Sequence, residues 1–427
     1  MELKVVFLLQ LLNHLSNKKE EWLYLRNYED LPHSVGNDVD LLVKEGRRNS
    51  ICEIVKNFAK SSGWTVTKVV HFSPLTIFLS NGTESLHIDL FDRMEWHFLP
   101  FADVSGLMED RVFKNGIWIL DAGSESFINV MTRHLYEGVV RNKHREQFGL
   151  LDKTAQEKFS SLLRAMTSHD ASRLLTHSAI SGDWKSFEKG FRLARRGLLS
   201  KCVLRKQAKT LSGVFRYVTR SVKRTLFPPG ELIVFEGSDW SEDSKIMRQC
   251  ATEIRDQFSC AGPMYFQGKS TRITQNFESL ALMRPPEVGE KRIGLSCFFL
   301  LYHWLGFQYF YWCRVRPQLV RNRLVIGNKY TYNLFLTPSK FRLAAPQWIL
   351  MLGVSLMIKP KLALFLKNSK STSQGSRQMF TSSDLREYDI RLTKLAKKNK
   401  EVRLLSMGEN SEVTCKTILE MSKNIIT

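Results

Sequence analysis

Apolar and polar positions follow two periods along the first 120 residues. In "VFLLQLLNHL" (6–15) the apolar residues recur at helical spacing, which predicts an amphipathic helix. "DVDLLV" (38–43) reads as a strand, and "RNSICEIVKNFAKSSG" (48–63) as a helix ending at Gly63. "WTVTKVVHF" (64–72) and "LTIFLS" (75–80) read as paired strands. "NGT" at 81–83 is a hairpin-type turn, and "LHIDLFDR" (86–93) is a further strand. From about residue 124 to 190 the spacing turns helical.

The segment 191–224 holds eleven Lys or Arg and no acid, and Leu211, Phe215, Val218 and Val222 recur at helical spacing. It reads as a basic amphipathic element, either a solvated linker helix or a peripheral contact with anionic lipid or another polyanion. "PPG" at 228–230 punctuates the chain, and "ELIVFEG" (231–237) opens a fresh α/β unit. The expected organisation is an α/β domain over 1–123, a helical region over 124–226 and a parallel-sheet domain over 227–427. The apolar run Ile293–Cys313 contains His303 and Gln308 and is read as a buried core helix rather than a membrane span.

Composition narrows the classes. A chain of 427 residues, 43% hydrophobic, has enough apolar surface for two or three cores. Its net charge of +21 points to a polyanionic partner: nucleotides, nucleic acid or an anionic membrane surface. No specific nucleic acid is predicted. The seven cysteines form no CxxC pair, so they read as reduced thiols in a cytoplasmic protein, membrane-peripheral at most, with no zinc site. The N-terminus has an acidic second residue and no small-residue cleavage site, unlike a signal peptide.

Candidate chemistry begins at Asp38 and Asp40. Residues i and i+2 of a strand share a face, so the two carboxylates project together and repel unless a cation lies between them. Asp89, on a second strand, offers a third carboxylate. Three such groups make an oxygen-only site suited to Mg²⁺ or Mn²⁺, ions that bridge nucleotide phosphates and activate a hydroxyl. Residues 20–95, with "YLRNYEDLPHSVGNDVDLLV", resemble the nucleotidyltransferase superfamily. There a Gly-Ser-type turn precedes an Asp-x-Asp strand, and a later strand supplies a third Asp. Arg26 and Asn27 stand where the Gly-Ser pair is expected, and Arg26 can bind phosphate as a charged fork.

A second constellation follows "ELIVFEG". Strand, loop and helix suit a phosphate-binding loop, G-x-x-x-x-G-K-[ST]. With Gly237 as the first glycine, Glu242 takes the second glycine's position, Asp243 the lysine's, and Ser244 the hydroxyl's. An acid in the lysine's place opposes phosphate, so intact ATP binding is not expected here. Residues 230–427 nevertheless resemble thymidylate kinase. "MRPPEVG" (283–289) stands near its Arg-Pro turn, and Asn328, Lys329 and Tyr330 at its Asp-Arg-Tyr motif. "SRQMFTSSDLREYDIRL", with Arg377 and Glu387, stands at the lid and the following helix. The resemblance implies a P-loop kinase-like fold, with activity lost through Glu242, Asp243 and Asn328.

The nucleotide-binding candidates are therefore Arg26, Asn27, Gly237, Asp239, Ser244 and Arg377. The domain order resembles proteins encoded with bacterial surface-polysaccharide genes. The expected function is a metal-dependent nucleotidyl- or phosphotransferase acting on a nucleotide or nucleotide-sugar through Asp38, Asp40 and Asp89. A catalytically silent scaffold and an active nucleotide kinase are the alternatives.

Overall fold

The computed structural model describes residues 2–205, 207–237, 264–267, 293–328, 330–338, 343, 345–368 and 382–407. The chain divides into two compact units, Met1–Val222 and Lys223–Thr427.

The first unit is built on a seven-stranded mixed sheet. Its strands are β1 (Trp22–Tyr24), β2 (Asp38–Val43), β3 (Thr65–His71), β4 (Leu75–Ser80), β5 (Ser85–Phe91), β8 (Val112–Lys114) and β9 (Ile117–Ile119), in the order β3-β4-β5-β2-β1-β9-β8. A separate hairpin pairs β6 (Met94–Trp96) with β7 (Leu99–Ala102). The expected pairing of 64–72 with 75–80 is present as the antiparallel β3–β4 ladder. At the turn into β5, Gly82 adopts φ 93°, and the Asn81 side-chain oxygen accepts from the backbone N–H groups of Thr83 and Glu84.

Alternation along β2 explains how both faces of the sheet are used. Val39, Leu41 and Val43 join a core with helices α1 (Leu3–Asn17) and α2 (Arg48–Ser61). Leu42 and, on β1, Leu23 belong to the opposite core, with the helical region. Asp38 and Asp40 share Leu42's face by their spacing. The helices after the short α3 (Val104–Glu109) are α4 (Ala122–Glu137), α5 (Asn142–Gly149), α6 (Lys153–Met166), α7 (His169–Ile180), α8 (Trp184–Lys189), α9 (Phe191–Arg205) and α10 (Gln207–Leu226). The basic segment is thus two helices, and they differ. Helix α9 buries Ala194, Leu198 and Cys202 in the core, whereas α10 exposes its apolar residues.

Close packing of α9 demands a glycine. A Cβ on Gly197 would lie 2.1 Å from Thr167 Oγ1 and 2.6 Å from the Ser168 backbone nitrogen. Gly197→Ala is expected to cost about 2 kcal/mol, even after the helix-propensity gain of alanine. Calorimetry should show a Tm lowered by about 4–8 °C. An unchanged Tm would mean that α9 is not pressed against the 167–168 turn.

The second unit holds a five-stranded, all-parallel sheet ordered β11-β12-β10-β13-β14. The strands are β10 (Glu231–Gly237), β11 (Met264–Gln267), β12 (Leu324–Asn328), β13 (Leu362–Asn368) and β14 (Val402–Met407). Buried runs such as Leu232–Phe235 and Leu362–Phe365 are what a parallel sheet covered on both faces requires. The architecture is α/β in both units, with a helical extension to the first, as expected from the pattern.

Helix α11 (Ile293–Phe310) continues as a π-helical turn over Tyr311–Val315. It differs from the buried core helix expected. Leu300, Tyr311 and Val315 are buried, but Phe298, Leu301, Leu305 and Tyr309 are exposed along one stripe. Its aromatics surround the whole circumference, so sequence periodicity gave no inner face to choose. Among the described residues no helix is long and apolar enough to cross a membrane.

Candidate functional site

The site is set by the register of two parallel strands. Asp40 on β2 pairs directly with Asp89 on β5, and Asp38 with His87. Directly opposed residues on neighbouring strands have side chains about 5 Å apart on the same face. Each of Asp38, Asp40 and Asp89 accordingly brings a carboxylate oxygen within 4.8 Å of the others. Asp40 is fully buried, Asp89 half-buried and Asp38 exposed at the strand's start.

Three carboxylates this close must be balanced. Burial, opposed by a bond from Thr76 and reinforced by the charges of Asp38 and Asp40, pushes the Asp89 carboxyl up to about 7. Thr76 Oγ1 donates to Asp89 Oδ1 at 2.5 Å. Loss of hydration, then the charge of Asp40, raises Asp38 as well. The cation beside them is Arg26. Its Nε donates to Asp40 Oδ2. Burial works against the Arg26 charge, but Asp40, Asp38 and Asp89 outweigh it and hold the guanidinium firmly protonated. The other oxygen, Asp40 Oδ1, is buried with no hydrogen-bond partner among the described residues.

Local chain geometry delivers Arg26. The Leu25 N–H donates to the Asp40 carbonyl at 2.9 Å, extending β1 along β2. The chain then turns at Asn27, which is exposed in the left-handed region at φ 62°, a conformation asparagine tolerates. Arg26 is thus placed on the aspartates, while Asn27 serves the turn.

The helical region holds the loop that follows Arg26, a contribution that sequence reading missed. Tyr28 Oη donates to Glu125 Oε2 at 2.6 Å, across 97 residues of chain. Glu125 sits in the first turn of α4, whose N-cap Asp121 accepts from Gly123 and Ser124. Burial raises the Glu125 carboxyl, opposed by Tyr28. Lys143 Nζ lies 3.7 Å from Glu29, and burial holds the neighbouring His144 below the usual imidazole range, helped by Lys143, Arg141 and Arg26. An Asp-capped helix start directly after β9 was the signal available for Glu125; Lys143 and His144 carry no pattern. An open cleft of about 550 Å³, lined by Glu21, Lys44, Arg111 and Trp118, contains none of the three aspartates.

In the second unit Gly237 ends the central strand β10, opposite Leu366 of β13. Asn328 ends the adjacent β12, opposite Gln267 of β11. Both therefore stand at carboxyl ends of parallel strands, where open α/β sheets bind ligands. Asp239, Glu242, Asp243, Ser244, the 283–289 turn, Lys329 and Arg377 lie outside the described residues.

No family model matches the chain, and no curated protein matches it. Among solved structures it is similar to thymidylate kinase from Ehrlichia chaffeensis, at 12% identity and a TM-score of 0.35, over 46% of this chain and 100% of that one. It is also similar to thymidylate kinase from Candida albicans, at 17% identity and a TM-score of 0.34, over 46% of this chain and 94% of that one.

Proposed function

We propose that the first unit is a metal-dependent nucleotidyl- or phosphotransferase module in which Asp38, Asp40 and Asp89 hold Mg²⁺ or Mn²⁺. The observation that carries this reading is the pairing of Asp40 with Asp89, with Asp38 on the same face and a buried Asp40 oxygen that has no hydrogen-bond partner among the described residues. A buried acceptor without a partner costs about 1–3 kcal/mol, and more when charged, so the cluster fits a hard cation with an all-oxygen donor set. Bound there, the ion supplies charge neutralisation for phosphate oxygens and a lowered pKa for an attacking hydroxyl.

The chain's own residues orient the reactants. Arg26, which bonds Asp40 at the edge of the cluster, would present its guanidinium fork to a phosphate held there. The Tyr28–Glu125 bond ties the loop after β1 to the helical region and fixes that side of the site. The ligand is a nucleotide or nucleotide-sugar, in bacterial polysaccharide metabolism by the sequence resemblance. The second unit binds substrate without kinase activity, because Glu242 and Asp243 oppose phosphate in its loop.

One observation favours a silent scaffold instead: the Arg26 guanidinium already neutralises Asp40. The two readings separate in a screen of nucleoside triphosphates for Mg²⁺-dependent pyrophosphate release by the full chain. The transferase reading expects release with at least one nucleotide and none in excess chelator. Release from no nucleotide, with or without candidate sugar phosphates, supports the scaffold.

A further inference from the structure

Helix α10 is mounted with its apolar face outward. Leu211, Phe215, Val218 and Val222 form one stripe and are 71%, 73%, 51% and 52% exposed. The opposite face rests on the first unit. Gly213 lies so near the Phe98 carbonyl that a Cβ would stand 2.5 Å from it. Arg216 Nη2 donates to Glu95 Oε1 at 2.9 Å, and Arg220 lies 3.8 Å from the same carboxylate. A surface helix ordinarily turns its apolar stripe to the core. Here the arginines hold the inner face, and an apolar stripe of four residues is left for a partner.

Charge selects the partner. The segment 191–224 carries eleven cations and no acid. Among the described residues Glu95 pairs with Arg216 and Arg220, while Arg192, Arg196 and Lys223 are exposed. A second copy of this chain would bring the same exposed cations against these. An anionic lipid surface attracts them and receives the stripe. We propose that α10 docks the protein on anionic membranes, lying in the interface plane with Leu211, Phe215, Val218 and Val222 in the acyl boundary. This is independent of the chemistry at the aspartates.

The test is sedimentation of the full chain with vesicles of phosphatidylcholine alone or with 30% phosphatidylglycerol, at low and at high NaCl. Partitioning should favour the anionic vesicles at least about tenfold at low salt and fade at high salt. Phe215→Glu and Leu211→Glu, both at exposed positions, should each lower it at least about tenfold, with Tm unchanged. The proposal is overturned by equal partitioning on neutral and anionic vesicles, or by glutamate variants that bind as well as wild type. It is overturned equally if the wild type is a dimer that Phe215→Glu makes monomeric, which assigns the stripe to self-association.

Discussion

Asp40→Asn is expected to lower metal-dependent turnover by at least about 10²–10³-fold while the protein stays folded. The asparagine keeps the shape of a side chain that is fully buried on β2, so packing against the strand is retained. What goes is one of three charges, and the one that directly faces Asp89. Arg26 loses its ionic partner but is one-third exposed and can be hydrated. Turnover measured with Mg²⁺ near saturation, beside a thermal melt, separates the two effects. Undiminished turnover in a folded Asp40→Asn protein would remove this carboxylate from the chemistry.

The second large effect concerns acid stability. His134 is fully buried beside Phe187 and Phe191, and neither ring nitrogen has a hydrogen-bond partner among the described residues. Burial, with the Arg195 charge adding to it, lowers this imidazole to about 4 from an ordinary value of 6.5. Arg195 reaches over from α9, donating to the Leu135 carbonyl and stacking on Trp96 and Phe191. The unfolded chain binds a proton between pH 6.5 and 4 that the folded chain refuses, so the neutral ring's stabilisation is complete above 6.5 and lost as pH falls toward 4. The loss is about 2 kcal/mol by pH 5.

Asp89 acts with the opposite sign. Its raised carboxyl binds a proton in the folded state between pH 3.8 and about 7, so its contribution falls as pH rises through that window. The two slopes offset in the wild type, and the difference between wild type and His134→Leu isolates the histidine. In denaturant titrations the leucine variant should gain about 2 kcal/mol on wild type between pH 8 and pH 5. A difference independent of pH would mean that His134 titrates normally in the fold.

Much of the site was legible because strand geometry is simple. Two aspartates at i and i+2 had to share a face, and a third acid on a nearby strand had only to fall in register, which the Asp40–Asp89 pairing achieves. Arg26 was legible as a phosphate fork but not as the partner of Asp40, since nothing local ties it to a residue 14 positions on. Glu125 lies 97 positions from Tyr28, and only the tertiary fold joins them. The three-residue strands β1, β6, β8 and β9 are too short to show a period of two. The exposure of α10 was hidden for a different reason: its amphipathic pattern is plain, but which face turns inward was decided by Glu95 and Gly213.

The proposed role of the aspartates is to hold a divalent cation rather than merely to answer Arg26. The most direct measurement is a calorimetric titration of Mn²⁺ into wild type, Asp40→Ala and Arg26→Ala, all as the full chain. Saturable binding is expected for wild type, with a loss of at least about a hundredfold in affinity in Asp40→Ala, and affinity kept or improved when the competing guanidinium is removed. Equal affinity in wild type and Asp40→Ala, or binding abolished by Arg26→Ala, would contradict it and leave the ion pair as the whole purpose of the cluster.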